Sequence, residues 1–320
     1  MIALLLLPLL LPWALPPLAR RTAERVRPDI ALRAITGAAA ALALGVVACL
    51  GALLLPLALH VPALARLAHL LQPVQAGPAV LAFGSSALAA GALAVCAIAG
   101  VRGTAAEVGR LRAAHERVAG LPEAGGMCVL DEDRPDAFAL PGLRGAGRIV
   151  VTAGMLRALD PSEREALLGH ERAHLAARHH LFLALAQLAG WCHPALAAVV
   201  PEVSFAAERA ADEAAARACG DRRLAARAVG RAALAATPRR DGARQPTLAA
   251  GGTTGPVPAR VRALLAEGPV RRVIPAALAM ALLCTAAGAS SLAGSIWLHR
   301  GVEIAQGEHP SDRGESTGAP

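Results

Sequence analysis

The sequence contains no tyrosine and no lysine, and aromatic residues make up only 2 % of its 320 positions. So few aromatics beside 55 % apolar residues, mostly alanine and leucine, suit membrane helices better than a soluble core of this length. Without lysine, arginine carries every formal positive side-chain charge of a chain whose net charge is +8. Those arginines flank apolar runs and do not interleave with aromatics, so a direct nucleic-acid surface is not expected. The six cysteines, at 49, 96, 128, 192, 219 and 284, contain no CxxC pair. Neither a disulfide framework nor a cysteine zinc site is expected, and the thiols read as buried apolar groups.

Long uncharged runs are what the chain does have. Residues 1–19, 34–59, 79–101 and 273–298 are each long enough to cross a bilayer, which takes about 20 apolar residues. The first lacks a basic leader and contains Pro8, Pro12, Pro16 and Pro17, so it reads as a retained span and not as a cleaved signal. Arg20, Arg21, Arg25, Arg27 and Arg33 fill the connector 20–33, whereas 60–78 carries only Arg66. Positive charge stays inside, which places both termini outside and residues 102–272 in the cytoplasm. The tail 299–320 is too short and polar to fold alone. The expected architecture is an α-helical membrane protein of about four transmembrane helices, three of them within 1–101, with an inserted α+β zincin-like metalloprotease domain at 102–272.

The chemistry is concentrated at His170-Glu171-Arg172-Ala173-His174, an H-E-x-x-H run. Asp160-Pro161-Ser162 signals a helix start before it, with Glu163 and Glu165 in the first turn. Histidines at i and i+4 project from one helical face and can reach a single zinc ion. Glu171 follows the first ligand, which lets it act as a base without ligating. A catalytic zinc takes three protein ligands, and Glu208 on a downstream Ala-rich helix is the candidate third, with Glu202 and Glu213 as fallbacks. Asp212, one turn after Glu208, would accept a hydrogen bond from a ligand's other ring nitrogen. The alternative for Glu208, Arg209, Asp212 and Glu213 is a solvated face of exchanging charges. Zinc held by His170, His174 and Glu208 would lower the pKa of its water, and Glu171 would pass that proton to the leaving amine.

Around the motif, Met127–Leu130, Ala137–Leu140 and Arg148–Thr152 are short runs bounded by Gly, Pro and Asp that read as strands, and 102–119 reads as a charged helix. Residues 181–200 are nearly as apolar as a span. A single crossing there would separate His170 from Glu208, so the segment should be buried, interfacial or re-entrant, with a break near Gly190 and Pro194. Pro238 to Pro258 reads as a flexible loop.

Taken together, Asp136–Gly142, Arg148–Leu156, Glu165–Leu175, Arg178-His179-His180, Glu208 to Asp212 and Arg260–Leu265 resemble the BlaR/MecR-type integral-membrane zinc peptidases. The HtpX-like and CAAX-processing proteases share the zinc motifs. The likeness covers approximately residues 104–270. It implies that a strand edge beside the zinc holds an extended substrate, for which Ala137, Phe138 and Ala139 are the candidates; a plain core strand is the alternative. The Arg260 segment would close the catalytic domain or, alternatively, form a basic helix against lipid head groups. The family position after Arg178-His179 is usually acidic, and His180 departs from it. His179, His180 and His193 are candidate oxyanion donors, each with a structural or solvent-facing alternative. The antibiotic-sensing members carry a penicillin-binding sensor after the fourth span, and only some twenty polar residues stand here. The expected partners are membrane lipid and a protein substrate, a transcriptional repressor or the chain itself. The competing expectations are a membrane quality-control protease and a catalytically silent signalling protein.

Overall fold

The computed structural model describes residues 7–58, 79–142, 147–236 and 256–266, together with Met280, Leu282 and Thr285. A 3-10 turn at Leu11–Ala14 leads into helix α1 (Leu15–Arg25), followed by α2 (Pro28–Ala58) and the forty-residue α3 (Ala79–Val118). Proline accounts for the break at the start, because Pro12 sits in the 3-10 turn and cannot donate to a regular helix. The expected first span is therefore described from residue 7 as two helical pieces, the second running on through Arg20 and Arg21. The expected fourth span, 273–298, lies outside the described residues except at those three positions.

Among the described residues, two helices are long and apolar enough to cross a membrane: Pro28–Leu54 in α2, with mean hydropathy 2.3, and Phe83–Val118 in α3, with mean hydropathy 1.8. They pack on each other, and Ser86 of α3 donates to the Leu53 carbonyl at 2.7 Å. No break occurs at residue 102. The expected span and the expected charged helix are one continuous rod, whose lower end (Leu111, Ala114, Val118) packs on the sheet against Phe138, Leu140 and Val150.

That sheet holds β1 (Glu123–Ala124), β2 (Met127–Leu130), β3 (Ala137–Leu140) and β4 (Arg148–Thr152) in the order β1-β2-β4-β3. The last three strands match their expected limits; β1 is too short to leave a sequence signal. Gly125 and Gly126, at φ 59 and 77, form the two-residue turn between β1 and β2, a conformation that favours glycine at both positions. β2 and β4 are parallel, while β3 pairs antiparallel with β4 and forms an edge.

The remaining helices are α4 (Ala153–Ala158), α5 (Pro161–Ala176), α6 (His179–Cys192), α7 (Pro194–Ala197), α8 (Val200–Cys219), α9 (Arg222–Ala235) and α10 (Val257–Leu265). The apolar segment 181–200 becomes α6, a sharp turn, and α7. The break falls at His193–Pro194, not at Gly190, which continues α6 and packs closely against Ala197. The chain then returns in α8. Ala186, Ala189, Leu196, Val199, Val203 and Phe205 share a core with Leu15, Ile35 and Leu42 of α1 and α2. Trp191 lies over Gly100 and Gly103 of α3, and a Cβ at Gly103 would collide with the indole. The α6–α7 hairpin thus docks beside α2 and α3 and brings α8 back to the same end as α5.

Candidate metal centre

Helix α5 begins with a capping box. Asp160 accepts from the Glu163 backbone at 2.9 Å, and Glu163 reaches back to the Asp160 N–H at 3.1 Å. Glu163 is fully buried and is neutralised from α9 by Arg231 at 2.7 Å and Arg227 at 3.2 Å. This fixes the start of α5 three turns before its histidines. Gly169 faces Ala215 of α8, so small residues let the two helices approach.

Where they meet, His170, His174 and Glu208 are all buried, and their ligand atoms lie within 4.8 Å of one another. His170 Nε2 is 3.1 Å from His174 Nε2 and 3.4 Å from a Glu208 oxygen, and His174 Nε2 is 3.5 Å from the other Glu208 oxygen. Three donors on one tetrahedral zinc, with bonds of about 2.0–2.1 Å, would stand about 3.3–3.4 Å apart. The donor set and its spacing fit a zinc ion of that kind. Glu213 pairs with Arg222 at 2.6 and 2.8 Å, and Glu202 is half-buried elsewhere on α8, so neither fallback ligand joins the cluster.

Each histidine has a polar neighbour at its far nitrogen, a hydrogen bond for His174 and a close carboxylate for His170. His170 Nδ1 is 3.0 Å from Asp212, and His174 Nδ1 is 2.9 Å from His179 Nδ1. The first contact sits where a carboxylate sets a ligand's tautomer. His179 is buried against a zinc ligand, so its Nδ1 does not face a substrate as an oxyanion donor would. His193 is spent on the N-terminus of α7, where it accepts from Ala195 at 3.2 Å. His180 is half-buried, and no contact joins it to the triad among the described residues.

Arg260, on α10, is the residue whose role the sequence left open. It is 5 % exposed, which rules out the lipid head-group alternative for this side chain. It donates to both oxygens of Asp212 at 2.7 and 2.8 Å and approaches Glu208 at 2.8 Å. The solvated-face reading of α8 is likewise corrected for Glu208, Arg209 and Asp212, which are all buried, while Glu213 is half-buried and pairs with Arg222. The signal available in the sequence was an arginine pair, Arg260 and Arg262, in a short and otherwise apolar helix, which does not name a partner.

The electrostatics follow from this packing. Burial alone would lower His170, but Asp212 and then Glu208 outweigh it and push it up to about 10. Burial raises Asp212, yet Arg260 and then His170 hold it down at about 2. His174 falls well below its ordinary value through burial and the charge on His170; His179 falls to about 4 for the same two reasons, with His180 adding to them. The cluster favours one positive charge among its carboxylates, whether a proton or a metal ion supplies it. Burial lifts Glu171 to about 8, against the pull of His170 and Arg260. The Ala139 backbone N–H of β3 also pulls it down. Glu171 Oε2 is buried without a protein partner among the described residues. A cavity of about 40 Å³ adjoins Glu171, His170, Glu208 and Arg260, and is lined also by Leu167 and Val229. It is large enough for about two or three waters.

Comparison with known proteins points the same way. Residues 104–200, which contain β1 to β4, α5 and the α6–α7 hairpin, match Peptidase family M48. The chain is similar to protease HtpX of Nitrosococcus oceani, 37 % identical over 75 residues, which are 23 % of this chain and 24 % of that protein. It is also similar to a protease HtpX homolog of Thermoplasma acidophilum, 44 % identical over 50 residues, 16 % of each chain. A homolog from Polaromonas naphthalenivorans is 37 % identical over 65 residues, 20 % of this chain and 21 % of that one. The matched stretches span about a quarter or less of these curated relatives. No solved structure matches the chain.

Proposed function

We propose that the chain is a membrane-embedded zinc metalloendopeptidase that hydrolyses peptide bonds of a protein substrate. The observation carrying this reading is the convergence of His170, His174 and Glu208 within ligand distance of one another, with the buried carboxylate of Glu171 beside them. The similarity of residues 104–200 to Peptidase family M48 supports it. Bound zinc supplies Lewis acidity, polarising a carbonyl and acidifying a water. The chain's own residues do the rest. His170, His174 and Glu208 hold the ion, and Asp212 orients His170. Glu171 receives the attacking water's proton and delivers it to the leaving amine, and its burial favours holding that proton in between. Arg260 balances Glu208 and Asp212, which would otherwise be two carboxylates buried side by side.

The candidate substrate edge is β3. Thr152 donates to the Asp136 carbonyl at 2.9 Å, so by antiparallel alternation Phe138 directs its main chain at β4, while Ala137 and Ala139 direct theirs outward. An extended substrate would pair with the outward main-chain groups of Ala137 and Ala139. Phe138 then belongs to the core beneath that edge.

The membrane setting rests on α2 and α3, with the catalytic part on the arginine-rich, cytoplasmic side and several spans in all. A regulatory protease acting on a cytoplasmic repressor and a quality-control protease for membrane proteins share this chemistry, and the likeness to protease HtpX favours the second at least as well. The test is purification in detergent, zinc determination, and comparison of casein and self-cleavage between the wild type and Glu171→Gln. The variant is expected to keep its zinc and to lose about 10²–10⁴-fold in rate. Equal rates would reject Glu171 as the base, and zinc-free, well-folded protein would reject the enzyme. Proteins that accumulate with the variant but not with the wild type would then separate a single repressor from a broad set of membrane proteins.

A further inference from the structure

The two zinc-facing histidines are supported unequally. Asp212 can only accept, and it lies 3.0 Å from His170 Nδ1 without a directed hydrogen bond, so its charge favours the ring form with the proton on Nδ1 and Nε2 as the bare donor atom. The partner of His174 is another imidazole, His179, nitrogen to nitrogen at 2.9 Å. Between two neutral rings only one hydrogen can occupy that contact. If His174 donates it, His174 Nε2 is free to ligate. If His179 donates it, the His174 proton sits on Nε2 and the ligand is lost.

We propose that His179 is the positioning residue for His174, and that its acceptor tautomer sets how tightly the triad holds zinc. The inference rests on the zinc reading above. His179 is 3 % exposed and its ring stands edge-on to His174, with centroids 4.8 Å apart. Backbone strain points to the same contact. α5 ends at Ala176, and Arg178 turns the chain in a left-handed conformation, φ 51 and ψ 44, as the sole non-glycine with positive φ among the described residues. Such a residue costs about 1–2 kcal/mol, and strain of this kind persists where the surroundings over-determine it. Here the turn brings residue 179 back against the ligand helix within five positions of His174.

The test is zinc affinity of the full chain in detergent, read by competition with a chromophoric chelator, together with the melting temperature of the metal-free form. Asn and Asp place an oxygen at the position of Nδ1, whereas the Gln amide lies one bond further out. His179→Ala and His179→Gln are expected to weaken zinc binding by about 10–100-fold. His179→Asn should stay within about threefold of the wild type, and His179→Asp, which can only accept, should equal or exceed it. His180→Ala should bind as the wild type does. The proposal fails if the Ala and Gln variants bind within twofold of the wild type, or if Asn and Asp weaken binding as much as Ala while melting as the wild type does. Should Asp unfold the protein, the neutral Asn variant decides alone. A wild-type chain that binds no zinc would instead defeat the metallopeptidase reading itself.

Discussion

Helix α8 buries an arginine on one side and contacts another on an adjoining side, and the two are satisfied by different means. On the face toward α1 and α2, Arg209 is 5 % exposed and donates to the Ala23 and Val26 carbonyls at the end of α1, with Phe205 stacked 5.8 Å away. Burial lowers its pKa, and the acids Glu213, Asp212 and Glu24 only partly oppose that. On the other face, Asp212 and Glu208 meet Arg260, which they hold firmly charged against the same burial. The last carbonyls of α1 have no helical partner of their own and remain neutral if their donor is lost. Asp212 and Glu208 would remain as buried charges. The apolar face therefore tolerates loss of its cation, whereas the metal face does not.

That contrast can be broken at measurable points. Arg260→Met should destabilise the metal-free protein by about 3–5 kcal/mol, read as a drop in its melting temperature, because two buried carboxylates lose their counter-charge. Arg209→Met should cost about 1–3 kcal/mol by the same reading while leaving zinc affinity within about threefold, since only carbonyls lose a donor. Equal effects of the two substitutions would erase the difference between the faces. The pH dependence sharpens it. Asp212 is depressed to about 2 from an ordinary 3.8, so its contribution is present above pH 4 and is lost as pH falls through 2. That amounts to about 2 kcal/mol in the metal-free form, and melting curves from pH 5 to pH 2 should lose it in the wild type but not in Asp212→Asn. The smallest expected effect is at Arg178. Replacement by glycine relieves the left-handed backbone and should stabilise the fold by up to about 1 kcal/mol. A destabilised Arg178→Gly would mean that the turn depends on the arginine side chain.

Much of the site was legible because it is local. Asp160, Pro161 and Glu163 announce the start of α5, and H-E-x-x-H places two imidazoles on one face by helical period alone. The three main strands were visible as short apolar runs between turn residues, and Glu208 with Asp212 as an i, i+4 pair on α8. The misses are non-local or depend on continuity. Arg260 reaches Asp212 across 48 residues of chain, and nothing in its neighbours distinguishes a lipid-facing arginine from a buried one. The boundary expected at residue 102 does not exist, because a helix that leaves an apolar stretch for a charged one keeps its hydrogen bonds and need not break. The hairpin at 181–200 was bounded in sequence only by the requirement that Glu208 return to His170.

By itself the sequence determined which atoms could bind a metal and where the helix carrying two of them begins, since spacing along a helix and capping are properties of a few neighbouring residues. It determined too that long apolar runs must find cover in lipid or protein. Only the tertiary structure decided that Arg260 closes the cluster, that His179 backs His174, and that β3 passes beside Glu171. Those are contacts between elements, and burial strips the water that would otherwise satisfy each group, so packing alone selects the partner each must find.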